Sequence, residues 1–89
     1  SAAATYADRG IRVNCIHPGL TTSAMSARLT GSPTVAERLA NANPLGRLGQ
    51  GDDTAALAEF LLSAAASWIT GQQIGVDGGQ GRLLVPPKS

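Results

Sequence analysis

Few residues in this chain could do chemistry, and they cluster. Cys15 and His17 stand two apart in Arg9-Gly10-Ile11-Arg12-Val13-Asn14-Cys15-Ile16-His17-Pro18-Gly19. One thiol and one imidazole fall far short of the ligand set that zinc takes, so no metal site is expected. A single histidine without a nucleophile elbow gives no support to Ser-His-Asp hydrolysis. Asp52-Asp53 resembles a carboxylate pair, but adjacent residues at a helix start point apart, so Asp52 is expected to cap that helix and Asp53 to complement its dipole. Asp77-Gly78-Gly79-Gln80-Gly81 invites a phosphate-loop reading. Leu84 occupies the third glycine's position and no helix follows, so chain reversal is the better account. Binding chemistry remains. Pro18-Gly19 offers a bare backbone shelf, and the hydroxyls of Thr21, Thr22 and Ser23 beyond it suit a ligand amide or phosphate, or the cap of a short helix.

The elements around these residues predict an α/β fold. Residues 1–9 read as a helix rich in alanine, closed by Arg9-Gly10 with Gly10 at the left-handed position. It has no strong start signal, which suggests that its first turns lie outside this sequence. Residues 11–16 form a short β-rich run, apolar on both faces apart from Arg12 and Asn14, as in a parallel strand covered by helices on each side. Pro18-Gly19 ends it, because proline lacks the ladder N–H and glycine lets another backbone or a ligand come close. Ligands in open α/β sheets bind beyond the carboxyl ends of the strands, which makes this shelf a candidate floor; a plain strand-terminating turn is the alternative.

After the shelf, residues 22–29 suggest a short helix. Thr30-Gly31-Ser32-Pro33 breaks it, and the capping box Thr34-Val35-Ala36-Glu37 opens another through residue 42. The whole of 20–44 reads as a substrate-loop segment or a loosely packed connector. Its Met25, Leu29, Val35 and Leu39 suit an apolar substrate face and ordinary amphipathic packing alike. Pro44-Leu45-Gly46-Arg47-Leu48-Gly49 is a turn-rich link. The helix from Gly51 repeats Ala58, Leu61, Leu62 and Ala65 at the spacing of one buried stripe. Residues 67–72 turn the chain into a second strand at 73–76.

Eighty-nine residues allow one domain with a thin core. Hydrophobic content of 43% with 15% charge is globular in kind, and a net charge of +1 gives no electrostatic case for nucleic acid or membrane. No apolar run is long enough to span a bilayer. The lone Cys15 cannot form an internal disulfide, so a reduced, cytoplasmic setting is expected.

Five short runs carry a resemblance. Gly10-Ile11-Arg12-Val13-Asn14, Pro18-Gly19, Pro44-Leu45-Gly46-Arg47, Ile69-Thr70-Gly71-Gln72 and Val76-Asp77-Gly78-Gly79, in this order and spacing, resemble the C-terminal part of the classical short-chain dehydrogenases/reductases. That resemblance implies the C-terminal part of a Rossmann-type doubly wound parallel sheet, its last two strands plus helices, with 1–89 a fragment of a single domain. It implies hydride transfer between NAD(H) or NADP(H) and a small-molecule carbonyl or secondary alcohol, in a protein that is a homo-oligomer when full length. The cofactor-binding residues carried over are Pro18, Gly19, Thr21 and Ser23. Thr21 stands where the family usually has an Ile or Val whose backbone holds the carboxamide, and Ser23 replaces a Thr. No catalytic residue is carried over: the Tyr-x-x-x-Lys pair belongs before Ser1, and Tyr6 is followed four residues on by Gly10 instead of Lys. The expectation is an oxidoreductase fragment inactive by itself; an inactive truncated homologue acting through an intact relative is the alternative.

Overall fold

A computed structural model describes residues 1–21 and 33–83. The chain opens with helix α1 (Ala2–Tyr6), tightened into a 3-10 turn over Ala7–Arg9. At its start Ser1 Oγ accepts from the Ala4 N–H at 3.3 Å. Gly10 closes the turn at φ 73°, as expected of a glycine just past a helix end.

Strand β1 (Cys15–Pro18) and strand β2 (Gln73–Val76) pair in parallel, with Ile16 opposite Ile74 and Pro18 opposite Val76. The first strand therefore lies later than the 11–16 expected. The physical reason is that side chains interrupt the pairing over residues 11–14: the Gly71 N–H reaches the Val13 carbonyl at 2.8 Å, but the opposite bonds are taken by side chains. The Val13 N–H donates to Thr70 Oγ1 at 3.1 Å, and Asn14 brackets the chain opposite, donating from Nδ2 to the Ile69 carbonyl and accepting at Oδ1 from the Gln72 N–H. Uninterrupted ladder bonding begins where the Cys15 N–H reaches the Gln72 carbonyl at 2.8 Å.

Helix α2 (Pro33–Ala40) starts at its proline, one residue before the expected capping box, and ends two residues early; proline suits a first helical position because its missing N–H has no partner there in any helix. Helix α3 (Gly51–Leu61) packs on β1. Its cap is Gln50, not Asp52: the Asp53 carboxylate accepts from the Gln50 N–H at 2.7 Å, and the Gln50 side chain answers to the Asp53 N–H. The expected apolar stripe is half right. Leu61 is buried and Leu62 is 85% exposed, because the helix stops between them and a 3-10 turn over Ala64–Ala66 buries Ala66 instead of Ala65.

Arg12, expected only as a polar interruption, holds this corner. Its guanidinium donates to the carbonyls of Leu61 (2.8 Å), Ile69 (3.3 Å) and Ser63 (3.4 Å), tying the end of α3 to the chain that leads into β2. One sheet face is bare among the described residues, since Cys15, His17, Gln73 and Gly75 are all exposed. The helix cover expected on both sides is thus seen on one. No helix among the described residues is long and apolar enough to cross a membrane.

Candidate functional site

Both strands end at the same level, and the chain that leaves them builds an open cavity of about 530 Å³. Its walls come from four places: Leu20 just past β1, the turn from Asn43 to Gly49, Asp53 in the first turn of α3, and the run from Gly75 to Gly79 with Arg82 and Leu83. That volume lies within the range of small-molecule sites.

The shelf is built differently from a bare floor. The Gly19 N–H donates to the Val76 carbonyl at 2.9 Å, extending the pairing past β1. A Cβ on Gly19 would lie 2.7 Å from Asp77 Cβ and 2.8 Å from its Cα, so the close approach that requires glycine here is made by the neighbouring strand. Pro18 is the last ladder residue and is exposed; neither it nor Gly19 lines the cavity. Leu20 does line it. Thr21 is buried, 9% exposed, in an isolated parallel bridge with Gly49, whose N–H donates to the Leu20 carbonyl at 3.0 Å. Ser23 and Thr22, with the helix expected over 22–29, lie outside the described residues.

The ionisable groups of the lining are committed to structure, except at the rim. Arg47 grips Asp53 with two parallel bonds of 2.9 Å, Nη1 to Oδ2 and Nη2 to Oδ1. That guanidinium first, and then the Gln50 N–H, hold the Asp53 carboxyl down at about 2. Asp77 spends both oxygens on its own turn, accepting from the Gly79 N–H at 2.9 Å and the Gly81 N–H at 3.1 Å. This is the chain reversal expected of the glycine cluster. Arg82 lies at the rim. A carboxyl held at about 2 is a weak proton acceptor near neutral pH, so Asp53 does not suit proton transfer.

Asn43 was missed by sequence reasoning. It is 8% exposed, and its amide is engaged at both ends: Nδ2 donates to the Arg47 carbonyl at 2.6 Å and Oδ1 accepts from the Gly46 N–H at 3.0 Å. Gly78, at φ 63°, packs against it so closely that a Cβ would sit 2.5 Å from Asn43 Oδ1. An asparagine before a Pro-Leu-Gly turn is a recognisable turn signal, but the partner across from it is not written locally.

Comparison with known proteins places this arrangement. A family model described as enoyl-(acyl carrier protein) reductase matches residues 1–80. Galactitol 2-dehydrogenase (L-tagatose-forming) of Cereibacter sphaeroides is 42% identical over 77 residues, which are 86% of this chain and 30% of that protein. A short-chain type dehydrogenase/reductase from Mycobacterium ulcerans superposes with a TM-score of 0.78 at 46% identity, covering 89% of this chain and 29% of the other. Pseudomonas aeruginosa RhlG, solved as an NADP active-site complex, superposes with a TM-score of 0.79 at 35% identity, covering 88% and 32%. The chain therefore spans about a third of the length of the relatives it matches.

Proposed function

The chain belongs to the short-chain dehydrogenase/reductase family, and from that premise we propose that it supplies the cofactor-side, C-terminal part of an NAD(P)-dependent oxidoreductase acting on a small-molecule carbonyl or secondary alcohol. The observation that carries this reading is the exit of two parallel strands into one cavity, with Leu20 and Thr21 held beside it. Leu20, Leu45 and Val76 give that cavity an apolar wall against which a flat ring packs, so the site fits the nicotinamide end of a dinucleotide in size and polarity. The nicotinamide supplies the hydride chemistry. This chain's own part is to bind and orient: Pro18 and Gly19, tied to β2 outside the cavity, carry the chain to Leu20 at its wall, Thr21 offers backbone, and Ser23 offers a hydroxyl.

Proton transfer is assigned to a Tyr-x-x-x-Lys pair outside residues 1–89, in line with the depressed pKa of Asp53 in the lining. The test is direct. The full-length protein is titrated with NAD+ and NADP+ and then assayed with a panel of cyclic and acyclic secondary alcohols. Binding of one dinucleotide with alcohol-dependent reduction is expected, and no turnover is expected from the 89 residues by themselves. A full-length protein that binds neither dinucleotide overturns the proposal.

A further inference from the structure

We propose that Asn43 is a positioning residue that fixes Leu20 and Thr21 beside the bound dinucleotide; this rests on the functional reading above. Two ties leave the end of β2. One is short, from the Val76 carbonyl to the Gly19 N–H. The other is relayed: the Gly78 carbonyl accepts from the Leu45 N–H at 3.1 Å while Asn43 packs against Gly78, locking the turn to the strand end. Within the turn, the Asn43 amide spans from the Gly46 N–H to the Arg47 carbonyl and sets its curvature. Two residues past Arg47, Gly49 holds the Leu20 carbonyl and bridges Thr21.

Leu20 and Thr21 are therefore triangulated from β2, and Asn43 governs the second leg. It acts through Gly49. Every contact in the relay is between described residues, and its two polar side chains, Asn43 and Thr21, are both buried. Removing the amide leaves the Arg47 carbonyl without its partner and frees the turn to relax, which shifts Gly49 and with it the backbone of Leu20 and Thr21.

The experiment uses the full-length protein and two variants, Asn43→Ala and the near-isosteric Asn43→Asp, which keeps the acceptor and loses the donor toward Arg47. Amide hydrogen exchange at Gly49 is read against Gly71, whose N–H bonds the Val13 carbonyl in a separate joint. NAD+ and NADP+ affinities are measured by calorimetry. The expected result is about tenfold faster exchange at Gly49 with Gly71 unchanged, and dinucleotide binding about tenfold weaker, the worth of one buried hydrogen bond. Unchanged protection at Gly49 overturns the inference, as does faster exchange with unaltered affinity. Should Asn43→Ala fail to fold, Asn43→Asp decides alone. A wild-type protein that binds neither dinucleotide overturns the functional reading only, because Gly49 protection still reports whether Asn43 holds Leu20.

Discussion

Asp53 shows how much one side chain can settle. Its carboxylate closes the N-terminus of α3 and grips Arg47, and both contacts favour the charged form. Its folded-state pKa of about 2 lies below the ordinary value of 3.8. A depressed carboxyl contributes stability that is complete above the ordinary value and is lost as pH falls from there towards about 2. Asp53→Asn in the full-length protein is therefore expected to flatten the loss of thermal stability across that window, measured as Tm against pH beside wild type. Equal slopes would show that the pair does not form in solution. Gly19 makes the opposite kind of point. Gly19→Ala drives a Cβ into Asp77 Cα and Cβ, and overpacking of this sort costs about 1–3 kcal/mol, read in the full-length protein as a lower denaturant midpoint with an unchanged m-value. The glycine was legible as a place of close approach. Which neighbour approaches was not, because Asp77 lies 58 residues along the chain. The same holds for the cap of α3: Asp52 satisfied the local preference, and Gln50 took the role because Asp53 reaches back to it, two residues off in a signal that carries that latitude.

At the scale of elements, the five short runs that resemble the family are not five independent features. Gly10-Ile11-Arg12-Val13-Asn14 and Ile69-Thr70-Gly71-Gln72 are the two halves of one joint. Val13 bonds Thr70 and Gly71, Asn14 bonds Ile69 and Gln72, and Arg12 ties both to the end of α3. Pro18-Gly19, the Pro44 turn and Val76-Asp77-Gly78-Gly79 form a second joint at the other end of the strands. Parallel pairing explains this, because the strands cannot share a hairpin and their ends must be registered by side chains from distant loops. Arg12→Ala is expected to destabilise the intact protein by roughly 2 kcal/mol through the loss of a charged donor to three carbonyls, with Arg12→Lys recovering only part, since an ammonium cannot reproduce the guanidinium fork. Chemical denaturation of both variants checks it. Recovery by lysine to the wild-type midpoint would mean that charge, not geometry, holds the corner. Strand β2 and the existence of α3 were legible from local pattern. The start of β1 was not, because the decision between ladder and side-chain bonding at residues 11–14 belongs to Thr70 and Asn14 together.

Across the whole molecule, the joints are well made and the core is not. Among the described residues the buried apolar side chains are Leu61 and Ala66, while Leu45, Phe60, Leu62, Leu83 and Trp68 stand exposed, Trp68 at 97%. Hydrogen bonds of the kind found in the two joints contribute about 1 kcal/mol net each and do not replace apolar burial as the driving force. Ordering the backbone costs on the order of 1–2 kcal/mol per residue, which so thin a core cannot offset. The apolar composition suggested a core, and pattern alone could not show that it would be distributed over faces with nothing against them. The 89 residues expressed by themselves are accordingly expected to unfold without a cooperative transition. Calorimetry should show no sharp endotherm, near-ultraviolet dichroism should be weak, and Trp68 should be quenched by acrylamide as readily in buffer as in denaturant. In the full-length protein, the same tryptophan should be shielded if residues outside these 89 cover it. A sharp melting transition with strong tertiary dichroism from the short chain would mean that two strands and their joints suffice, and the thin-core account would fall.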